Sequence, residues 1–254
     1  MTVLETLEPG AYVLIAAIAF GTAVFHSVGG FAGGLLLAIC LAPIIGVKET
    51  VPVTAAAMIV SNSARIWVFR HAVSWRAFLC IFTAAVPGIV IGALVYVNLP
   101  VHHVALLLGG FLIASVPLRR RLEARRFRVG ARGLAIAGLP FGLISGTTFG
   151  AGVMLAPFLL GAGLMGESLV GTVAALGFGL NVTKSLVFGF SPLLTQALAV
   201  QGILIGLCTI PGAYFGRWIV RNTPIRVHTL FLEALILSGA SYFLWQAGTG
   251  FGWL

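Results

Sequence analysis

Two matched pairs of side chains carry the chemistry open to this sequence. Asn62 and Arg65 stand three residues apart, and Asn181 and Lys184 repeat that spacing 119 residues further on. Residues three apart lie on one face of a helix, so each pair offers an amide beside a cation. The guanidinium fork of Arg65 suits a planar or tetrahedral oxyanion, and Lys184 supplies a compact point charge. Lys184 is one of two lysines in the chain and falls inside the apolar run Leu169 to Phe190. Charge is costly in such a run, which makes an ionisable group there a functional candidate by default. Structural readings stay open for both cations. Lys184 is about two turns from the end of its run and can snorkel. Arg65 precedes Arg70 and can serve membrane orientation. Thr54 and Thr172 add hydroxyls that either donate to a ligand or bond back to their own helices.

Two glycine-rich stretches accompany these pairs. The first contains Gly29, Gly30, Gly33 and Gly34, and the second contains Gly146, Gly150 and Gly152. Glycine gives up much backbone entropy on ordering and therefore breaks helices. Within hydrocarbon, a broken backbone persists only where protein buries it or where it lines a wet cavity. Transporters use such breaks to aim helix N-termini at anionic groups, which makes these glycines candidates for a substrate site. The competing reading is close helix packing. Three further groups are candidates for carrying a coupling proton. His26 adjoins the first glycine break, and Glu49 and Glu167 precede a hydroxyl residue at expected helix starts. For the two glutamates, helix capping is the favoured role.

The elements that would hold these residues are apolar. Of the 254 residues 59% are hydrophobic and 8% charged, and the mean hydropathy is +1.10, which indicates an all-α polytopic membrane protein with no separate soluble domain. Apolar segments are expected at roughly 11–28, 31–46, 51–69, 76–97 and 102–117, then at roughly 134–149, 151–165, 169–190, 196–218 and 228–247. They form a first repeat over 11–117 and a second over 134–247. The matched landmarks keep their order: Glu49-Thr50-x-x-x-Thr54 with Glu167-Ser168-x-x-x-Thr172, and Pro87-Gly88-x-x-x-Gly92 with Pro211-Gly212-x-x-x-Gly216. Such a duplication is expected to be an inverted repeat with the site between its halves. Gly88-x-x-x-Gly92 and its counterpart would let another helix approach closely.

Between the repeats, 118–133 reads as a basic cytoplasmic loop, with seven arginines from Arg119 to Arg132 opposed only by Glu123. The net charge of +9 is explained by orientation and by contact with anionic lipid. No aromatic interleaving points to nucleic acid. Glu233, unmatched in the repeat, is expected to pair with Arg226 or His228 near the membrane surface. The three cysteines stand singly and form no metal or disulfide pattern. There is no Asp and no HExxH, and Ser145 lacks the glycine that opens a G-x-S-x-G elbow, so an intramembrane enzyme is disfavoured.

Gly146-x-x-x-Gly150-x-Gly152 followed by Pro157, with Gly29-Gly30-x-x-Gly33-Gly34 in the first half and the repeated Pro-Gly-x-x-x-Gly, resembles the TauE/SafE family of sulfite-exporter-like permeases. The resemblance covers nearly the whole chain. It implies a multi-pass protein of the bacterial inner membrane that moves a small anion, sulfite or an organosulfonate such as sulfoacetate. The expected mechanism is alternating access with proton coupling and no cofactor. An anion channel and a membrane scaffold are the alternatives, and a homo-oligomer is as compatible with the sequence as a single chain.

Overall fold

A computed structural model describes residues 9–29, 33–124, 128–149, 151–222 and 225–253. Ten helices account for nearly all of them: α1 Pro9–Gly29, α2 Gly33–Ile45, α3 Val47–Phe69, α4 Trp75–Asn98, α5 Val101–Ala124, α6 Ala131–Thr147, α7 Gly152–Gly161, α8 Gly166–Gly189, α9 Gln196–Asn222 and α10 Ile225–Phe251. Each expected apolar segment corresponds to one helix. Among the described residues, four stretches are long and apolar enough to cross a membrane as single helices: Val47–Phe69, Trp75–Asn98, Val101–Leu122 and Gly166–Gly189. The helices α2 and α7, with 13 and 10 residues, are too short to do so. At 1.5 Å per residue they extend only about 20 and 15 Å, against a ~30 Å hydrocarbon core.

Two expectations need correction, and a third residue has a partner that was not expected. The basic stretch does not begin as a loop, because α5 continues through Arg119–Arg121 to Ala124. Arginine is a good helix former, so a run of it ends a hydrophobic pattern without ending a helix. Glu233 pairs with Arg120, the guanidinium Nη2 lying 2.6 Å from Oε2, while the side chains of its expected partners Arg226 and His228 lie outside the described residues. Neither Glu49 nor Glu167 is a cap. The N-cap positions of α3 and α8 are Gly46 and Met165, with no side-chain cap bond, and the two acids sit in the first turn where the helix dipole favours them.

The connection between α2 and α3 is one residue, Gly46, whose φ of 97° lies in the region that only glycine enters cheaply. That turn folds α2 back along α3, so that Gly34 abuts Thr54 and Met58. The turn between α7 and α8 uses Gly163 and Gly166, also at positive φ.

Close backbone approach sets the helix directions. On α4, Gly88 and Gly92 lie against the α6 backbone at Leu139 and Leu143, while Gly138, Gly142 and Gly146 of α6 lie against Ile81, Ala85 and Ile89 of α4. Rising residue numbers match rising ones, so α4 and α6 run parallel. Glycine on both sides brings the two backbones into contact, as the small-residue packing rule anticipates. Gly202 and Gly206 of α9 meet Val53, Ala56 and Ala57 of α3 in the same parallel sense, and Gly212 meets Phe20 of α1. The pair α3 and α8 is antiparallel, because Gly171 meets Phe69 whereas Gly177 meets Asn62. The pair α5 and α10 is antiparallel as well, with Gly109 at Leu244, Gly250 at His102 and Arg120 at Glu233. One apolar cluster (Tyr96, Leu108, Phe188, Phe243) fastens α5 and α10 to α2, α3, α4 and α8. A second (Ile81, Ile89, Leu155, Leu176) joins α4, α6, α7 and α8. The surface keeps large apolar side chains exposed, among them Leu79, Ile91, Leu94, Ile136 and Leu204, as a lipid-facing girdle does.

Candidate functional site

The antiparallel α3 and α8 present their polar faces to a cavity of about 650 Å³, its opening included. From α3 it is lined by Thr54, Asn62 and Arg65, and from α8 by Asn181 and Lys184. Gly34 and Gly152 line it too, each in the first turn of a short helix. Amide groups in a first turn lack intrahelical partners and sit at the positive end of the helix dipole. Met58, Phe141, Phe149, Leu155, Leu176 and Leu180 supply much of the apolar wall.

Lys184 is buried at 3% exposure, and its Nζ donates to the Thr148 carbonyl at 2.9 Å. It therefore does not snorkel. The residue it meets is the C-cap of α6, where backbone carbonyls face the negative end of the dipole. An ammonium has three N–H groups, and this bond uses one. Asn181 Nδ2 donates to Gly177 O at 2.6 Å. Gly177 also lies against the Asn62 amide, so both asparagines converge on one glycine whose missing Cβ makes room for Asn62.

Arg65 reaches back to α1, where its Nη1 lies 2.6 Å from His26 Nε2. The other ring nitrogen of His26, Nδ1, lies 2.7 Å from Gly33 N. His26 is buried, lines the cavity, and packs so closely on Gly33 that a Cβ there would overlap its ring. Thr54 is 2% exposed, and its Oγ1 has no hydrogen-bond partner among the described residues. A buried hydroxyl left unpaired at a cavity wall costs about 1–3 kcal/mol unless something in the cavity bonds to it.

The remaining expected site residues lie elsewhere or outside the description. Gly146 packs against Ile89 and Gly92 of α4 and does not line the cavity. Thr172 accepts from Ser74 N at 2.9 Å, just before the start of α4. Gly29 ends α1 and Gly33 meets His26. Gly30 and Gly150 lie outside the described residues. Of the three coupling candidates, His26 lines the cavity, while Glu49 and Glu167 sit in the first turns of α3 and α8 and do not. Sequence reasoning missed Ser145, which lines the cavity from α6. The signal was present: the 119-residue offset that relates Asn62 to Asn181 also carries His26 to Ser145.

A multi-pass apolar bundle with a cation-bearing cavity in its interior has the form of a membrane transporter. The sequence model of the family described as Sulfite exporter TauE/SafE matches residues 15–243, nearly the whole chain, and the chain belongs to that family. The family is one of membrane anion transporters, and it implies a small anionic substrate. No curated protein and no solved structure matches the chain.

Proposed function

We propose that the protein is a secondary transporter of a small sulfur oxyanion or organosulfonate, sulfite foremost, and that the cavity between α3 and α8 is its substrate site. One observation carries this reading. Arg65 and Lys184 reach one cavity that also receives the first turns of α2 and α7, and no carboxylate is among the described residues that line it. Cations, helix N-termini and an unpaired hydroxyl favour an anion with several acceptor oxygens. The apolar walls leave room for the carbon body of a sulfonate such as sulfoacetate.

Alternating access is supported by the arrangement of the helices. Helices α1–α5 and α6–α10 correspond in order, and exchanging the two sets reproduces the packing: α4 on α6 becomes α9 on α1, α3 on α9 becomes α8 on α4, and α3 on α8 and α5 on α10 map onto themselves. The corresponding helices α3 and α8 are antiparallel, as are α5 and α10. This favours an inverted repeat of 11–117 and 134–247 whose halves rock about the cavity. In this arrangement α1–α2 and α6–α7 re-enter from opposite faces, since α2 and α7 are too short to cross. The basic residues favour a cytoplasmic position for 118–133 in a bacterial inner membrane, against anionic lipid. A proton gradient is the proposed driving force.

The deciding experiment is sulfite flux into proteoliposomes, with binding followed by thermal stabilisation. Saturable uptake that responds to an imposed pH gradient and is lost in Lys184→Ala is the expected result. Anion at 100 times its dissociation constant adds about 2.7 kcal/mol of stability to the wild type. Absence of saturable flux for sulfite, thiosulfate and sulfoacetate, with no stabilisation by any of them, overturns the proposal.

A further inference from the structure

The two contacts of His26 cannot both be hydrogen bonds at once. Nδ1 faces the backbone N–H of Gly33 at 2.7 Å, and Nε2 faces the Arg65 guanidinium at 2.6 Å. Both partners are obligatory donors: a backbone amide keeps its proton, and so does a guanidinium. A neutral imidazole carries one N–H and one acceptor lone pair, and an imidazolium carries no acceptor. The ring can therefore satisfy Gly33 or Arg65 but not both, and burial of the ring makes the partner left over costly. Gly33 opens α2, and Arg65 belongs to the proposed anion site. One five-membered ring thus bridges the entrance of a short helix and a ligand-binding cation.

Resting on the anion-site reading above, we propose that His26 is a positioning residue that exchanges hydrogen-bond partners with anion occupancy. In the empty site Nδ1 carries the proton, Nε2 accepts from Arg65, and the Gly33 N–H has no bond to the ring. When an anion takes the guanidinium, Arg65 turns its N–H groups to the anion oxygens. The ring then carries its proton on Nε2, where it too can donate to the anion, and Nδ1 accepts from Gly33. The proton count of the ring does not change, since water removes one proton at Nδ1 and returns one at Nε2. The consequence is that filling the site ties the start of α2 to the end of α1, and emptying it releases that tie.

The test is nitrogen NMR of the full-length protein in detergent with ¹⁵N-histidine, without and with saturating sulfite, where protonated and unprotonated ring nitrogens resonate far apart. His26→Gln assigns the signal among the five histidines of the chain. The expected result is an unprotonated Nε2 without sulfite and an unprotonated Nδ1 with it. The same tautomer in both samples, or a doubly protonated ring in either, overturns the exchange while sulfite binding stands. Thermal stabilisation of the same samples reads binding independently. If sulfite, thiosulfate and sulfoacetate all fail to bind, the anion-site reading falls, and the exchange falls with it. His26→Gln, whose amide keeps one acceptor and two donors, is expected to weaken sulfite binding less than tenfold. His26→Leu, without an acceptor or donor, is expected to weaken it at least tenfold. Equal affinity of the wild type and both variants also overturns the proposal.

Discussion

Among the cavity residues, Thr54 separates binding from stability most cleanly. Its hydroxyl is buried without a partner among the described residues, unlike Thr22 and Thr50, which bond to carbonyls of their own helices. Replacing it by valine keeps the shape and removes the unsatisfied group. Thr54→Val is therefore expected to leave the unliganded melting temperature unchanged or raise it. The same change is expected to weaken sulfite by a few-fold to about tenfold, the worth of one hydrogen bond at about 0.5–1.5 kcal/mol. A titration of thermal stability against sulfite reads both numbers. A lowered unliganded melting temperature with unchanged affinity would assign the hydroxyl a structural role. Lys184 differs because its nitrogen already holds the α6 terminus through Thr148. Lys184→Ala is thus expected to lose stability as well as binding, which is why Thr54 is the sharper probe.

Helix contacts explain which parts of this architecture were visible beforehand. Apolar runs identified the ten helices, because a chain in hydrocarbon must satisfy its backbone within each segment. Helix ends were less legible where side-chain chemistry and backbone preference diverge. The arginines of α5 read as loop, and the last apolar segment was expected to end at 247, yet α10 runs to Phe251, with Gly250 packed on His102. The matched pairs on α3 and α8 were legible because charge in an apolar run stands out. Ser145 was not, since a single hydroxyl in a glycine-rich helix resembles any other. Gly146 was ambiguous for a physical reason: helix breaks and backbone contacts both select glycine, and only the partner helix distinguishes them. The α4–α6 contact gives a direct test. A Cβ at Gly142 would run into the Ala85 carbonyl, whereas one at Gly110 would meet nothing within 4 Å. Gly142→Ala is expected to destabilise by about 1–3 kcal/mol or more, as overpacking does. Gly110→Ala should be neutral or slightly stabilising, given the helix propensities. Equal unfolding midpoints for the two variants in detergent would mean that the backbones do not touch.

The arrangement of the whole chain makes its own prediction, because helix directions derived from packing and from charge are independent. Packing sets α4 parallel to α6, α9 parallel to α3, and α10 antiparallel to α5. Charge sets the α3–α4 turn, the 118–133 stretch and the α9–α10 turn on the side that carries Arg70, Arg76, Arg132 and Arg226. For the proposed inverted repeat, α3 ends on the cytoplasmic side, where α4 begins, and the corresponding α8 ends on the opposite side, where α9 begins. A duplication with parallel halves would put both turns on one side and would give α3 and α8 the same direction, against their contacts. His71 in the first turn and Gln196 at the start of α9 are both exposed and serve as reporters. With Cys40, Cys80 and Cys208 replaced by alanine, a membrane-impermeant maleimide applied to intact spheroplasts is expected to label Gln196→Cys. It should label His71→Cys only after the membrane is permeabilised. Labelling of both from one side would sink the inverted repeat. Rocking about the cavity would lose its structural basis with it, and an anion channel would become the better account of the same two cations.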